Sequence, residues 1–110
     1  MIINFRESMV DKAIEEANDL WGTTREQLIS RAKKDWECIP RATLAVAMRR
    51  VLGLGVVSIG RALERHHTSI THHDSRHDNR MSTMHGDTDR PVDPIYYDNY
   101  NAIAERLKKL

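Results

Sequence analysis

The chain has 110 residues, of which 40% are hydrophobic and 30% charged, and its formal net charge is +1. This length predicts one small domain over residues 1–110, with a modest hydrophobic core. The single Cys38 excludes an internal disulfide, and the chain has neither an apolar run of about 18 residues nor a signal peptide, so we expect a cytoplasmic protein with no membrane partner.

The charge is unevenly distributed along the chain. Residues 1–20 have a net charge of −3, residues 21–80 a net charge of +5 and residues 81–110 a net charge of −1. A local excess of positive charge attracts nucleic acid even when the whole chain is nearly neutral. The alternative is an ordinary solvated surface, because this excess is not large.

Two helices are predicted in the first third of the chain. Apolar residues repeat at helical spacing over residues 6–20, which indicates an amphipathic helix. Thr24 and Gln27 have the spacing of a capping box, which starts a short helix that runs to about Ala32. Residues 33–38 are polar and are expected to form a loop.

A third helix is predicted to follow this loop. Pro40 fits its first turn, where the missing N–H of proline costs nothing. Gly53 and Gly55 end the helix and allow a sharp turn. Its buried face is expected to hold five apolar residues, namely Leu44, Ala47, Met48, Val51 and Leu52.

The next segment predicts two helices, about residues 57–63 and 68–80, joined by a tight polar break. This arrangement matches a helix-turn-helix over about residues 57–80, whose second helix lies in the major groove of DNA. The alternative is a polar helix hairpin that has no partner. The short donors and acceptors suited to base edges are His66, His67, Thr68, Ser69 and His72.

The end of the chain predicts a loop over residues 82–94, which contains Gly86, Pro91 and Pro94, and a final helix over about residues 95–110. An apolar stripe on this helix offers a face for a homodimer. No segment alternates convincingly between apolar and polar residues, so we predict an all-α bundle of about six helices. The stripe consists of Tyr96, Tyr100, Ile103, Leu107 and Leu110.

Several motifs together resemble one known family. The run Arg65-His66-His67-Thr68-Ser69-Ile70, followed by His72, resembles the Arg-Asp-His-Thr-Thr-Val-x-His signature of the C-terminal DNA-binding domain of the bacterial replication initiator DnaA. The resemblance covers about residues 10–80 and implies a helix-turn-helix bundle of the DnaA and Trp-repressor type. Three further motifs are similar to elements of that family, namely Leu28-Ile29-Ser30, Pro40-Arg41 and Ser58-x-Gly60.

The resemblance also implies roles for basic residues. Lys33 stands where the family places a basic residue in the minor groove, and Lys34 lies beside it in the same loop. Arg41 matches a phosphate contact at a helix start, where backbone N–H groups also favour anions. Arg65 matches the signature arginine and is expected to bind phosphate near the turn. The alternative for the lysines is a solvated loop.

Three departures from the family pattern bear on which DNA sequence is preferred. His66 replaces the signature Asp, so a ring that can donate stands where an acceptor for the cytosine N4 amine is expected. Ala42 replaces a Gln and so removes a polar contact. The turn at residues 63–65 is about one residue shorter than that of the family. We therefore expect DNA binding without the usual margin of preference for the family's DNA box.

Metal and enzyme functions are not favoured by the sequence. His73 and His77 are one helical turn apart and could bind zinc or nickel, but no third ligand is evident. The segment from Gly53 to Gly60 is rich in glycine but lacks the Lys-Ser/Thr pair of a P-loop. No nucleophile has a base beside it. We therefore predict no metal, no cofactor and no enzymatic activity.

The sequence thus predicts a sequence-selective double-stranded DNA-binding protein of the DnaA C-terminal type that lacks the initiator's ATPase domain. We expect it to regulate transcription or replication, and its small size suits a phage or a mobile element. The alternative is a protein-interaction module of the same fold that docks a replication protein without binding DNA. Retention of Arg41, Arg65, His67 and Thr68 argues against this alternative, and the tyrosine-rich final helix argues for it.

Overall fold

Six α-helices and one pair of short strands make up the part of the chain that the computed structural model describes, residues 5–29, 35–84 and 90–110. The all-α class with about six helices is confirmed. No described helix is long and apolar enough to cross a membrane. The strands β1 (Thr83–Met84) and β2 (Arg90–Pro91) are antiparallel. The helices are α1 (Phe5–Trp21), α2 (Arg25–Ile29), α3 (Asp35–Arg50), α4 (Val56–Leu63), α5 (His67–Met81) and α6 (Pro94–Lys108).

The hydrophobic core is built around α3. Residues 42–48 of this helix are all buried, and α1, α2, α4, α5 and α6 each pack against it. Ala42, Ala45 and Ala47 have small side chains, which let the neighbouring helices approach closely. The larger side chains of Leu44 and Met48 fill the space between the helices, so the interior reaches the close packing typical of protein cores.

The apolar stripe of α6 packs inside the same chain. Tyr96, Ile103 and Leu107 are at most 1% exposed, and α6 makes its most extensive contacts with α3. Near the end of α6, Arg106 forms an ion pair with Glu16 of α1 at 3.4 Å. Three of the five stripe residues therefore pack in the protein's own core, while Tyr100 is half-buried and Leu110 is 41% exposed, and a homodimer through this helix stays a prediction.

Two segments differ from the prediction made from the sequence. The helix α3 begins at Asp35, so residues 35–38 are helical rather than a loop, and Pro40 lies in the second turn rather than the first. The predicted loop over residues 82–94 contains the short strand pair.

The connection between α4 and α5 is a tight turn over residues 64–66. Glu64 ends α4 in the left-handed conformation, with φ 52° and ψ 46°. The backbone N–H of Arg65 donates to the carbonyl oxygen of Gly60 at 2.8 Å. The chain passes so close to α4 here that a Cβ at position 60 would lie 2.6 Å from the carbonyl oxygen of Arg65. The turn therefore requires glycine at this position.

Replacing Gly60 with alanine should destabilise the protein by about 1–3 kcal/mol, because the added methyl group meets backbone that cannot move aside cheaply. The free energy of unfolding can be measured by urea titration. Gly55→Ala is the matched control, since an added Cβ there meets no atom within 4 Å. That variant should change stability by less than about 1 kcal/mol. Equal destabilisation of the two variants would show that the close approach at Gly60 is unimportant.

Candidate nucleic-acid interface

The orientation of α5 is set by contacts on one side of the helix. Ile70 is 1% exposed and His77 is 6% exposed, and both side chains lie in the core. Arg50 at the end of α3 binds Asp74 at 2.9 Å and Asp78 at 3.2 Å. Arg50 thus draws both carboxylates of α5 towards α3.

The opposite side of α5 is polar and exposed. One exposed carboxylate, that of Asp78, lies at its edge and is paired with Arg50, and α5 contains neither Lys nor Glu. Lys and Glu favour helices and are common on solvated helix surfaces, whereas Thr, Ser, His and Asn are poorer helix formers. The composition is therefore not that of an ordinary solvated helix. This surface, the exposed face of α5, consists of Thr68, Thr71, His72, Ser75, Arg76 and Asn79.

His66 caps the N-terminus of α5. Its Nδ1 accepts a hydrogen bond from the backbone N–H of Thr68 at 3.2 Å and lies 2.8 Å from the Thr68 hydroxyl oxygen. The centroid of its ring is 4.2 Å from that of the His67 ring. An N-cap acceptor satisfies one of the N–H groups that a helix start leaves without a partner. The three side chains therefore form one cluster at the end of the exposed face.

The predicted base-contact residues are brought together at this end of α5. His66, His67, Thr68 and His72 are exposed within the cap and the first two turns, and Ser69 is half-buried beside them. The predicted minor-groove residues Lys33 and Lys34 lie outside the described residues.

Arg41 and Arg65 have partners within the protein. Arg41 is 7% exposed, and its Nε donates to the carbonyl oxygen of Leu28 at 2.5 Å. Nη1 of Arg65 donates to the carbonyl oxygen of Ile29 at 3.1 Å. Both guanidinium groups therefore bind the C-terminal end of α2. The expectation that Arg41 lies at a helix start needs correction, because α3 begins at Asp35 and Arg41 is inside the helix.

Two exposed arginines, one beside the exposed face of α5 and one within it, were not singled out as contacts from the sequence. Arg61 on α4 lines a shallow groove of about 300 Å³ together with His66 and His67. Arg76 lines a second groove of about 410 Å³ together with Asn79. The sequence could have indicated that Arg76 lies near the predicted base contacts, because it is four residues, about one helical turn, after His72.

His77 faces the core rather than the surface. Its Nδ1 and the Tyr96 hydroxyl are hydrogen-bonded at 2.8 Å, and its ring centroid lies 4.2 Å from that of Tyr100. Burial lowers the pKa of His77, and the charge of Arg50 lowers it further. Of the pair considered as a metal site, His77 is thus hydrogen-bonded to Tyr96 and His73 is half-buried beside it on α5. Within the described ranges, no three His, Cys, Asp or Glu side chains are grouped so that they could hold a metal ion.

No family model, no curated protein and no solved structure matches this chain. The resemblance to the DnaA C-terminal domain therefore depends on the residues quoted above, and membership of that family stays a prediction.

Acid should destabilise the fold through His77. Because burial lowers the pKa of this ring below its ordinary value of 6.5, the unfolded chain takes up a proton more readily than the folded protein. The free energy of unfolding should therefore be highest above pH 6.5 and should fall as the pH drops from there towards the lowered pKa. In His77→Gln, which has no titrating group at this position, the fall measured by urea unfolding should be smaller.

Ile103→Val is the control for this experiment. It removes one buried methylene group, so it should lower the free energy of unfolding by about 0.5–1.5 kcal/mol at every pH and keep the wild-type pH dependence. A His77→Gln profile parallel to that of the wild type would mean that His77 does not cause the acid sensitivity. Burial also lowers the pKa of His73, so some pH dependence should remain in His77→Gln.

Proposed function

We propose that this protein binds double-stranded DNA with sequence selectivity, with α4 and α5 acting as a helix-turn-helix and α5 lying in the major groove. The observation that supports this best is the exposed face of α5, which offers short hydrogen-bonding side chains and has one exposed carboxylate at its edge, that of Asp78, paired with Arg50. The resemblance of residues 65–72 to the DnaA signature points to the same helix.

The dimensions of α5 suit this role. An α-helix with its side chains is about 10–12 Å across, close to the width of the major groove at about 12 Å. Recognition helices of this class contact bases mainly through their N-terminal residues. In α5, which has 15 residues, this is where His66, His67 and Thr68 are exposed.

The charges around α5 favour a polyanion on its exposed face. Asp74 and Asp78 are paired with Arg50, which partly neutralises both carboxylates on the side towards α3. Arg61, beside the face and next to the exposed Glu64, and Arg76, within the face, are exposed and would contact phosphates of the bound DNA. Phosphate contacts of this kind position a protein on DNA, while the polar side chains between them read the bases.

The tyrosine-rich helix that favoured a protein-interaction module packs largely inside the protein. Tyr96 is fully buried and Tyr100 is half-buried, so neither offers a free docking face. We therefore favour regulation of transcription or replication through occupied DNA sites, in the cytoplasm of a bacterial host and for the benefit of the host, a phage or a mobile element.

The affinity for DNA should fall steeply as the salt concentration rises. Contacts from Arg61, Arg76 and the two lysines at positions 33 and 34 would displace about two to four counterions, which gives a log–log slope of roughly −2 to −4. Fluorescence anisotropy with duplexes selected from a random library measures this slope. Failure to bind any duplex at about 50 mM salt would reject the proposal and favour a protein-interaction module.

Substitutions at base-contacting and at phosphate-contacting residues should have different effects on the affinity for selected and for random duplexes. Thr68→Ala and His72→Ala should each weaken binding to the selected site by about 1–3 kcal/mol and leave binding to random duplex nearly unchanged. Arg76→Ala should weaken both kinds of binding and make the salt slope shallower by about one. Lys109→Ala is the control for the loss of one positive charge. Lys109 lies at the end of α6, which packs beside α1, so this variant should bind both kinds of duplex almost as the wild type does. If Thr68→Ala weakened all sequences alike, the exposed face of α5 would not be the surface that reads bases.

A further inference from the structure

The charged residues of α5 are divided between two flanks of the helix. Asp74 and Asp78 lie on the flank next to Arg50, which binds both carboxylates. Arg76 and Arg80 each follow one of these acidic residues by two positions, which is about 200° around an α-helix. The two arginines therefore lie on the opposite flank, where positive charge is concentrated.

A groove of about 410 Å³ lies beside the arginine flank, between α5 and the start of α6. Arg76 and Asn79 line this α5–α6 groove from exposed positions, and Arg80 lines it from a half-buried one. All three side chains can donate hydrogen bonds. The other wall of the groove consists of Val92, Asp93 and Pro94.

Arg80 is held in a fixed position in the α5–α6 groove. Its Nε and Nη2 bind one carboxylate oxygen of Asp93, at 3.0 and 2.9 Å. Its guanidinium carbon lies 4.1 Å from the centroid of the Tyr96 ring. Within the described part of the chain Nη1 has no acceptor, so Arg80 retains N–H groups for an anion. Because the side chain is already ordered, binding costs it little conformational freedom.

The electrostatic potential around this flank is positive. Burial lowers the pKa of His73, and neighbouring positive charges, among them those of Arg80 and Arg76, lower it further. The carboxylate of Asp93 offsets part of this charge. Its second oxygen accepts from the backbone N–H of Tyr96 at 3.1 Å, so Asp93 also caps α6.

We propose that the α5–α6 groove binds one phosphate group of the DNA backbone, an inference that depends on the proposed DNA-binding function. Arg80 supplies a fixed cation, Arg76 a second cation from the exposed side, and Asn79 an amide donor. Arginine binds phosphate oxygens through paired N–H groups. On the other flank Arg50 is already engaged by two carboxylates, so the bound phosphate belongs to the strand beside the arginine flank. This contact sets the direction in which α5 lies in the major groove.

Uncharged methylphosphonates that replace single phosphates of a selected duplex test the contact. At the position bound in the groove, this replacement should lower the affinity of the wild type about tenfold. The same replacement should lower the affinity of Arg80→Gln and of Arg76→Gln by only about twofold, because each variant already lacks a partner of that phosphate. Arg106→Gln, which removes an arginine paired with Glu16 of α1, is the control and should keep the tenfold response.

A second variant tests the role of Arg80 without removing it. Asn is as good an N-cap residue as Asp, so Asp93→Asn should keep the start of α6 and release the charge of Arg80 for the phosphate. The affinity for duplex DNA should rise about threefold. The gain should vanish when Arg80→Gln is added, and Glu16→Gln, which removes a carboxylate paired with Arg106, should give no such gain. Thermal unfolding followed by circular dichroism checks that each variant is folded.

The possible failures can be told apart. If no duplex is bound, the DNA-binding function is rejected and the phosphate contact with it. If duplexes are bound but no methylphosphonate position distinguishes Arg80→Gln from the wild type, only the phosphate contact is rejected. The same holds if Asp93→Asn gains affinity equally with and without Arg80.

A phosphate of DNA and free inorganic phosphate present the same chemistry, and nuclear magnetic resonance separates these two sources. A selected duplex should shift the side-chain amide signals of Asn79, and the methylphosphonate at the sensitive position should reduce that shift. A shift caused by inorganic phosphate but not by the duplex would mean that the groove binds a free anion, which would overturn the proposal.

Discussion

The burial of residues 42–48 of α3 on all sides is the constraint on which the other helices depend. Residues 42–48 of this helix are covered completely, and five helices are packed around it. Such a helix needs small side chains where its neighbours approach and larger ones where they leave space. Ala45 and Ala47 meet the first need, and Leu44 and Met48 meet the second. A larger side chain at either alanine would push α5 or another neighbour outward, because close-packed interiors have little free volume.

The helix α5 depends on its packing against this scaffold. Its sequence is poor in strong helix formers, so tertiary contacts must supply much of its stability. Those contacts are on its inner side, where His77 is hydrogen-bonded to Tyr96 at 2.8 Å. Towards its C-terminal end, Arg80 binds Asp93 at 2.9 Å and lies 4.1 Å above the ring of Tyr96. The side chains on the outer side are therefore not needed to hold the helix against the core, and they remain available for the proposed contacts with DNA.

Arg41 and Arg65 show how a residue that matches a DNA-binding motif can instead stabilise the fold. Arg41 and Arg65 occupy the positions at which the family resemblance implies phosphate contacts. In the structure both bind carbonyl oxygens at the C-terminal end of α2, where a helix leaves acceptors without partners. A guanidinium group can donate to carbonyl oxygens as well as to a phosphate, so residue type alone does not distinguish the two uses. Arg41 is buried, so it has little surface with which to contact a phosphate.

Local pattern by itself determined the number of helices, the all-α class and the limits of α1, α4 and α5 to within one residue, because periodicity, glycines and capping residues act over a few positions. It also placed the exposed cluster of His66, His67 and Thr68 at the start of one helix, since neighbours on a helix stay neighbours in the fold. Only the tertiary structure decided which polar side chains turn inward, as His77 does towards Tyr96 of another helix, 19 residues along the chain. The partners that decide such orientations are distant in sequence, and the spacing of residues within one helix contains no information about them.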